Sequence, residues 1–81
     1  MSPVMNALRR HVETIGERIR SLRESAGWNQ AVLATLLGVT QSTVSKFERG
    51  LADPHMKQVK CMASLFHVTV AFLVDGTPPP T

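Results

Sequence analysis

Residues 29–50 of this 81-residue chain decide its fold, and they read N-Q-A-V-L-A-T-L-L-G-V-T-Q-S-T-V-S-K-F-E-R-G. Two short segments, each with an apolar face, are separated there by Gly38, which stands where a helix must end and the chain reverse. Glycine suits that place because it adopts a positive φ without steric cost. Ala34 is small where the two helices would cross closely, and Val44 and Phe47 supply apolar side chains for their contact. The stretch therefore predicts two short helices packed together through a tight turn.

The second of these helices has two different faces. At about 100° per residue, Val44 and Phe47 lie close together on one of them. The opposite face combines short or flexible hydrogen-bonding side chains with two cations and no exposed acid: Gln41, Ser42, Ser45, Lys46 and Arg49. A face that is merely solvated more commonly includes Glu or Asp, although an ordinary polar helix face remains the alternative. The pattern favours a helix-turn-helix, whose second helix enters the major groove of DNA.

Helix starts elsewhere in the chain are marked by N-capping residues, whose side chains accept a hydrogen bond from the first turn. Thr14 and Glu17 form a capping box that predicts a helix over about residues 15–26, and Gly27 can end it in the left-handed conformation. The same reasoning predicts three more starts, each flanked by apolar residues that can staple the first turn, at Asn29, Thr40 and Thr69. These signals predict short helices joined by turns.

Two further helices and a tail complete the predicted chain. Asp53 followed by Pro54 predicts a helix start, with Asp53 as the cap and Pro54 as the first helical residue. The apolar residues that this helix would turn inward are Met56, Val59, Met62, Ala63 and Phe66. A stripe of Met5, Leu8 and Val12 predicts a short helix over about residues 4–12. The Pro-rich residues 77–81 are expected to form a flexible tail.

Composition excludes several classes of protein. The chain is 43% hydrophobic and 19% charged, which is ordinary for a globular domain, and its net charge of +3 suits a polyanionic partner. A single cysteine rules out an intramolecular disulfide framework and indicates a reducing compartment. No apolar run approaches the ~18 residues that cross a bilayer. His11, His55, His67 and Cys61 lack the spacing of a shared metal site, and Cys61 is predicted to be a partly buried packing residue. We expect no enzyme, no metal and no cofactor.

Five pieces of the sequence occur in a characteristic order: I-G-E-R-I-R-S-L-R (15–23), N-Q-A-V-L-A-T-L-L-G-V-T (29–40), V-S-K-F-E-R-G (44–50), the Pro54 turn, and H-V-T-V-A-F-L-V-D-G (67–76). In this combination the chain resembles the Cro/repressor-type helix-turn-helix family, the XRE-like transcriptional regulators of phages and bacteria. The resemblance implies an all-α, compact five-helix, lambda-repressor-like DNA-binding domain over residues 15–76. Residues 1–14 would form an N-terminal extension with an additional short helix.

The family resemblance also implies which residues contact double-stranded DNA. The helix that starts after Thr40 would lie in the major groove, where Gln41 is the best candidate to read a base, since its amide can bond N6 and N7 of adenine. Gln30, at the start of the preceding helix, would contact a phosphate with help from the helix N-terminus. Arg49 would lie along the DNA backbone, where it would position the protein on the duplex without reading the base sequence. The expected DNA contacts are Gln30, Thr40, Gln41, Ser42, Thr43, Ser45, Lys46 and Arg49.

The resemblance further pairs Arg23 with Glu48 in an ion pair between two helices, to which we assign a structural role. His55 stands where the family often has a serine cap, which is consistent with Asp53 taking over as the cap.

Four apolar residues exceed what a five-helix core can absorb and are expected to form a homodimer interface: Leu51, Leu65, Val70 and Val74. Phe72 and Leu73 are expected inside. Scattered exposure of apolar residues, common in small proteins, is the alternative.

The function expected from these features is sequence-specific transcriptional regulation in the cytoplasm, on the nucleoid. The chain would act as a homodimeric repressor on a palindromic operator. One alternative is the antitoxin of a toxin–antitoxin pair, for which only residues 1–14 or 77–81 are free to bind the toxin. Another is a controller protein of a restriction–modification system, which can activate as well as repress. An enzyme is a distant third class.

Overall fold

A computed structural model of the protein describes residues 13–78, and five helices make up their regular structure. The helices are α1 (Ile15–Ser25), α2 (Gln30–Leu37), α3 (Gln41–Glu48), α4 (Met56–Phe66) and α5 (Val70–Asp75). No strand occurs in this part of the chain. None of the described helices has both the length and the apolar character needed to cross a bilayer. The helix predicted over residues 4–12 and most of the predicted tail lie outside the described residues.

Four of the helices begin at the capping residues that the sequence predicts. The Thr14 hydroxyl accepts the Glu17 N–H at 3.2 Å, and the Glu17 carboxylate accepts the Thr14 N–H at 3.0 Å, which completes the capping box of α1. The same kind of bond, donated by the backbone N–H three residues on to a side-chain oxygen, starts α2, α3 and α5 at Asn29, Thr40 and Thr69. Gly38 ends α2 in the predicted left-handed conformation, with φ of 72°.

The fourth helix begins differently, and the prediction that Asp53 caps it is wrong. His55 is the cap: its Nδ1 accepts the Gln58 N–H at 3.4 Å, while the Gln58 side chain accepts the His55 N–H at 3.0 Å. Pro54 therefore precedes the helix. The helix starts two residues later than predicted, and Met56, its first residue, is exposed rather than turned into the core.

Apolar side chains from all five helices form one core. Its buried members are Ile19, Leu33, Ala34, Val44, Phe47, Val59, Met62 and Leu73. The rings of Trp28 and Phe66 pack beside it, with centroids 5.5 Å apart. Leu73 is fully buried as predicted, whereas Phe72 is only half-buried, which corrects its placement inside. The core holds α3 from its inner side and leaves the outer side of that helix open.

Candidate nucleic-acid interface

The outer face of α3 consists of the polar side chains that the sequence places there. Val44 and Phe47 are buried, while Gln41, Ser42 and Lys46 are exposed. Arg49, which follows the last residue of the helix, adds a second exposed cation. Its Nε donates a hydrogen bond to the hydroxyl of half-buried Ser45 at 3.1 Å. The exposed side thus carries amide, hydroxyl and cationic groups without an exposed acid, which is the chemistry that fits base edges and phosphates.

Two threonines hold the start of α3 in place. The Thr40 hydroxyl accepts the Thr43 N–H at 3.1 Å, and the two hydroxyl oxygens lie 2.9 Å apart, so they are hydrogen-bonded to each other. Within the described residues, the Gln41 and Ser42 side chains make no hydrogen bond. The Thr40–Thr43 bonds therefore fix the start of α3, and the Gln41 and Ser42 side chains beside them are exposed.

A buried ion pair joins α1 to the end of α3. Arg23 donates from Nε and Nη2 to the two carboxylate oxygens of Glu48, at 2.6 and 3.0 Å, and from Nη1 to the Trp28 carbonyl at 2.7 Å. Both side chains are largely removed from solvent. The hydrogen bonds to Glu48 raise the pKa of Arg23 above its already high ordinary value, more than burial lowers it. Removing one partner of such a pair costs about 3–5 kcal/mol because the other charge stays buried alone.

Gln30 is attached to the same pair. Its amide Nε2 donates to Glu48 Oε1 at 3.1 Å, so the first residue of α2 is bonded to the last residue of α3. One N–H of the amide and its oxygen remain for other partners. Sequence reasoning predicted a phosphate contact for Gln30 but not this bond. The bond spans 18 positions along the chain, and no local pattern indicates it.

The four residues predicted at a dimer interface differ in exposure. Leu51 is 66% exposed and Val74 is 42% exposed, whereas Val70 and Leu65 are half-buried against the core. The accessible part of the predicted interface therefore consists mainly of Leu51 and Val74.

The His, Cys, Asp and Glu side chains of the described residues are not grouped as a metal site. Between residues 13 and 78, no three side chains of His, Cys, Asp or Glu lie close enough to hold a metal ion. Cys61 is exposed, contrary to the prediction of a partly buried packing residue. It lines an open groove of about 310 Å³ between the α2–α3 turn and the first turns of α4, together with His55 and Lys57.

Comparisons with known proteins relate this geometry to one class of regulator. A family model described as a helix-turn-helix domain matches residues 14–72. YonR, an HTH-type transcriptional regulator derived from the SPbeta prophage of Bacillus subtilis, is 36% identical over 62 residues, which are 76% of this chain and 57% of YonR. The chain thus spans little more than half the length of that relative.

Solved structures share the arrangement of the five helices. The P22 c2 repressor in complex with a synthetic operator is similar with a TM-score of 0.76 and 26% identity, over 82% of this chain and all of that one. The restriction–modification controller protein C.AhdI from Aeromonas hydrophila is similar with a TM-score of 0.67 and 30% identity, over 73% of this chain and 89% of that one. The fold is therefore that of the lambda-repressor-like DNA-binding domains.

Proposed function

This chain belongs to the Cro/repressor-type helix-turn-helix family of DNA-binding transcriptional regulators, and from that premise we propose that it represses transcription as a homodimer on a palindromic operator. The observation that carries the proposal is the outer face of α3, where exposed Gln41, Ser42 and Lys46 stand on a helix fixed from behind by the core. Repression follows when the bound protein covers an operator that overlaps a promoter, and it requires no chemistry. The chain would work in the cytoplasm, on the nucleoid.

The proposed contacts divide into those that read bases and those that hold the DNA backbone. Gln41 reads a base, since its amide can bond both N6 and N7 of adenine, and Ser42 lies beside it. Lys46 and Arg49 are exposed cations that neutralise phosphates. Gln30 contacts a phosphate at the N-terminus of α2, where unpaired backbone N–H groups also favour an anion. Thr40, Thr43 and Ser45 complete the DNA-facing surface.

A second candidate function is favoured by the similarity to C.AhdI. A controller protein binds DNA through the same fold but activates as well as represses, so the two functions differ in the sign of regulation. A promoter–reporter assay distinguishes them: expression of the chain lowers reporter output in the first case and raises it at some sites in the second.

DNA binding itself is tested by salt dependence. Genome-wide footprinting identifies the bound sites, and titrations of the purified chain on one of them then give affinity against salt. Log affinity should fall linearly with log salt, with a slope of about 0.9 for each phosphate neutralised. Lys46→Gln should reduce that slope by about one, whereas Lys60→Gln, on α4, serves as a charge-matched comparison. An affinity that does not respond to salt would refute DNA as the main partner.

A further inference from the structure

The Glu48 carboxylate accepts more hydrogen bonds than its ion pair with Arg23 requires. Its Oε2 accepts from Arg23 Nε at 2.6 Å, whereas its Oε1 accepts from two donors, Arg23 Nη2 at 3.0 Å and Gln30 Nε2 at 3.1 Å. Among the proposed DNA contacts, all of which lie in the described part of the chain, Gln30 alone is bonded to this pair. The buried pair therefore reaches the DNA-facing surface through one side chain, that of Gln30.

A buried arginine in this fold does not need an acid. Arg18 is buried, and its guanidinium donates to three backbone carbonyls, at 2.9, 2.6 and 3.2 Å: those of Leu73, Val74 and Glu13. Within residues 13–78 it pairs with no carboxylate. Since backbone oxygens are sufficient to hold one buried guanidinium, the carboxylate beside Arg23 has room for a second role.

The carboxylate of Glu48 fixes which way the Gln30 amide faces. A carboxylate only accepts hydrogen bonds, so the nitrogen of the amide and not its oxygen must lie against it. The same nitrogen keeps a second N–H, which a phosphate oxygen can accept. Without Glu48 the amide can turn over and present its oxygen, and two acceptors do not bind each other. Glu48 thus selects the orientation in which Gln30 offers a donor.

The surroundings of Gln30 suit an anionic ligand. Asn29 Oδ1 accepts the Val32 N–H at 2.9 Å, but the first two N–H groups of α2, those of Gln30 and Ala31, have no partner inside the helix. The chain has no charged residue from position 25 to position 45, so α2 itself adds no acid there. The charge of Glu48, which would repel a phosphate, is cancelled by Arg23.

Building on the phosphate contact proposed for Gln30, we infer that Glu48 is the positioning residue of that contact. The carboxylate holds the Gln30 amide with one N–H left for the DNA backbone, and Arg23 neutralises the carboxylate so that the phosphate can approach. Gln30 is the first residue of α2 and Glu48 the last of α3, so their bond sets where the phosphate lies relative to α3. Because phosphate contacts fix the register of a protein on the duplex, the buried pair acts in recognition as well as in stability.

The test asks whether Gln30 loses its effect on DNA affinity when the carboxylate is gone. Arg23→Met and Glu48→Met are introduced together, because replacing a whole buried pair by apolar side chains is often neutral, whereas replacing one member leaves a charge buried alone. Gln30→Ala is then measured in the wild type and in this double variant, on one footprinted operator and at a temperature where circular dichroism shows every protein folded. We expect it to weaken binding about 10-fold in the wild type, the effect of one hydrogen bond to a charged group, and less than ~2-fold in the double variant.

Arg20 and Glu24 provide the matched control. They form an exposed pair on α1, with Arg20 Nε 3.6 Å from Glu24 Oε2, so Arg20→Met with Glu24→Met removes the same two charges without touching Gln30. Gln30→Ala should keep its full effect in that control. If Gln30→Ala has the same effect in the wild type and in the Arg23–Glu48 double variant, the pair is purely structural, and the inference is overturned while the phosphate contact stands. If Gln30→Ala leaves wild-type affinity unchanged, the phosphate contact itself is wrong.

A second measurement needs no substitution and decides the case if the double variant does not fold. Gln41 is an exposed amide without a hydrogen bond in the described residues, so it serves as an internal comparison for Gln30. In the free wild-type chain, nuclear magnetic resonance relaxation should give the Gln30 side-chain NH2 an order parameter near the ~0.85 of rigid backbone, and that of Gln41 a value below ~0.6. A Gln30 amide as mobile as that of Gln41 would overturn the inference.

Discussion

At the scale of single residues, Gly16 meets a requirement that lies outside its own helix. In the sequence it only weakens a helix, since glycine is a poor helix former. In the structure it lets the first turn of α1 rest against the backbone at the end of α3: a Cβ there would lie 2.3 Å from the Phe47 carbonyl oxygen and 2.9 Å from that of Glu48. The glycine is thus required by a helix crossing and not by its own backbone conformation.

We predict that Gly16→Ala destabilises the protein. Alanine favours the helix by about 1 kcal/mol, but the Cβ meets backbone oxygens that cannot rotate away, and overpacking of this kind costs about 1–3 kcal/mol or more. A net loss of about 1–2 kcal/mol should lower the melting temperature by about 4–8 °C per kcal/mol in a domain of this size. Ser21→Ala, at an exposed position of α1, should change it little. A variant as stable as the wild type would mean that the two helices separate easily.

Gln41 and Gln30 provide the second prediction at this scale, because the same side chain is expected to do two different things. Gln41→Ala should lose about 1–3 kcal/mol at one operator position and relax the preference there. Gln30→Ala should weaken binding to all sequences about equally, and it should also lower stability because the bond to Glu48 is lost. Binding measured over a library of operator variants gives both profiles. Identical profiles would show that the assignment of roles is wrong.

At the scale of the helices, the sequence predicts where most of them start, and the reason is that N-capping is local chemistry. Thr14, Asn29, Thr40 and Thr69 each bond an N–H three residues away, so a short window contains both partners. The start of α4 was mispredicted because His55 caps with a ring nitrogen, which standard cap preferences do not include. Its partner Gln58, three residues on, was the signal that could have identified it.

The cap of α4 can be tested by substitution. His55→Ala should cost about 0.5–2 kcal/mol of stability, the usual range for losing a helix cap. Asp53→Ala should stay within about 0.5 kcal/mol, because Asp53 is exposed and takes no part in the cap. His55→Ser should restore stability, since serine caps through its hydroxyl. Urea unfolding of the three variants measures these differences. A larger loss of stability in Asp53→Ala than in His55→Ala would show that Asp53 is the cap.

At the scale of the whole molecule, the sequence predicts which side chains face outward but not what holds them. The outer face of α3 follows from helical periodicity, which is a property of one segment. The hydrogen bonds that fix α3 and α5 do not follow from periodicity, because they join residues far apart in the sequence. Arg23 bonds Glu48 across 25 positions, and Arg18 bonds the Leu73 carbonyl across 55. The resemblance supplied the first of these pairs, and nothing in the sequence supplied the second. Long-range polar contacts depend on the completed fold.

The proposed dimer is likewise a property of the whole molecule, and Val74 offers its most direct test. Two copies that meet through α5 are related by a two-fold axis, so both third helices face the same side of the duplex and bind half-sites about 34 Å, one helical turn, apart. Val74→Glu places like charges against each other across that axis. Because Val74 is exposed and the Arg18 bond uses only its carbonyl, the monomer should keep its fold.

Val74→Glu should therefore shift the protein to monomer in sedimentation and weaken operator binding more than it lowers the melting temperature. Leu36→Glu is the matched control, since Leu36 on α2 is an apolar residue of nearly equal exposure, 44% against 42%. It should leave the dimer intact. If instead Val74→Glu sediments as an unchanged dimer, the interface lies elsewhere, and the apolar stripe of Met5, Leu8 and Val12 becomes the surface to substitute next.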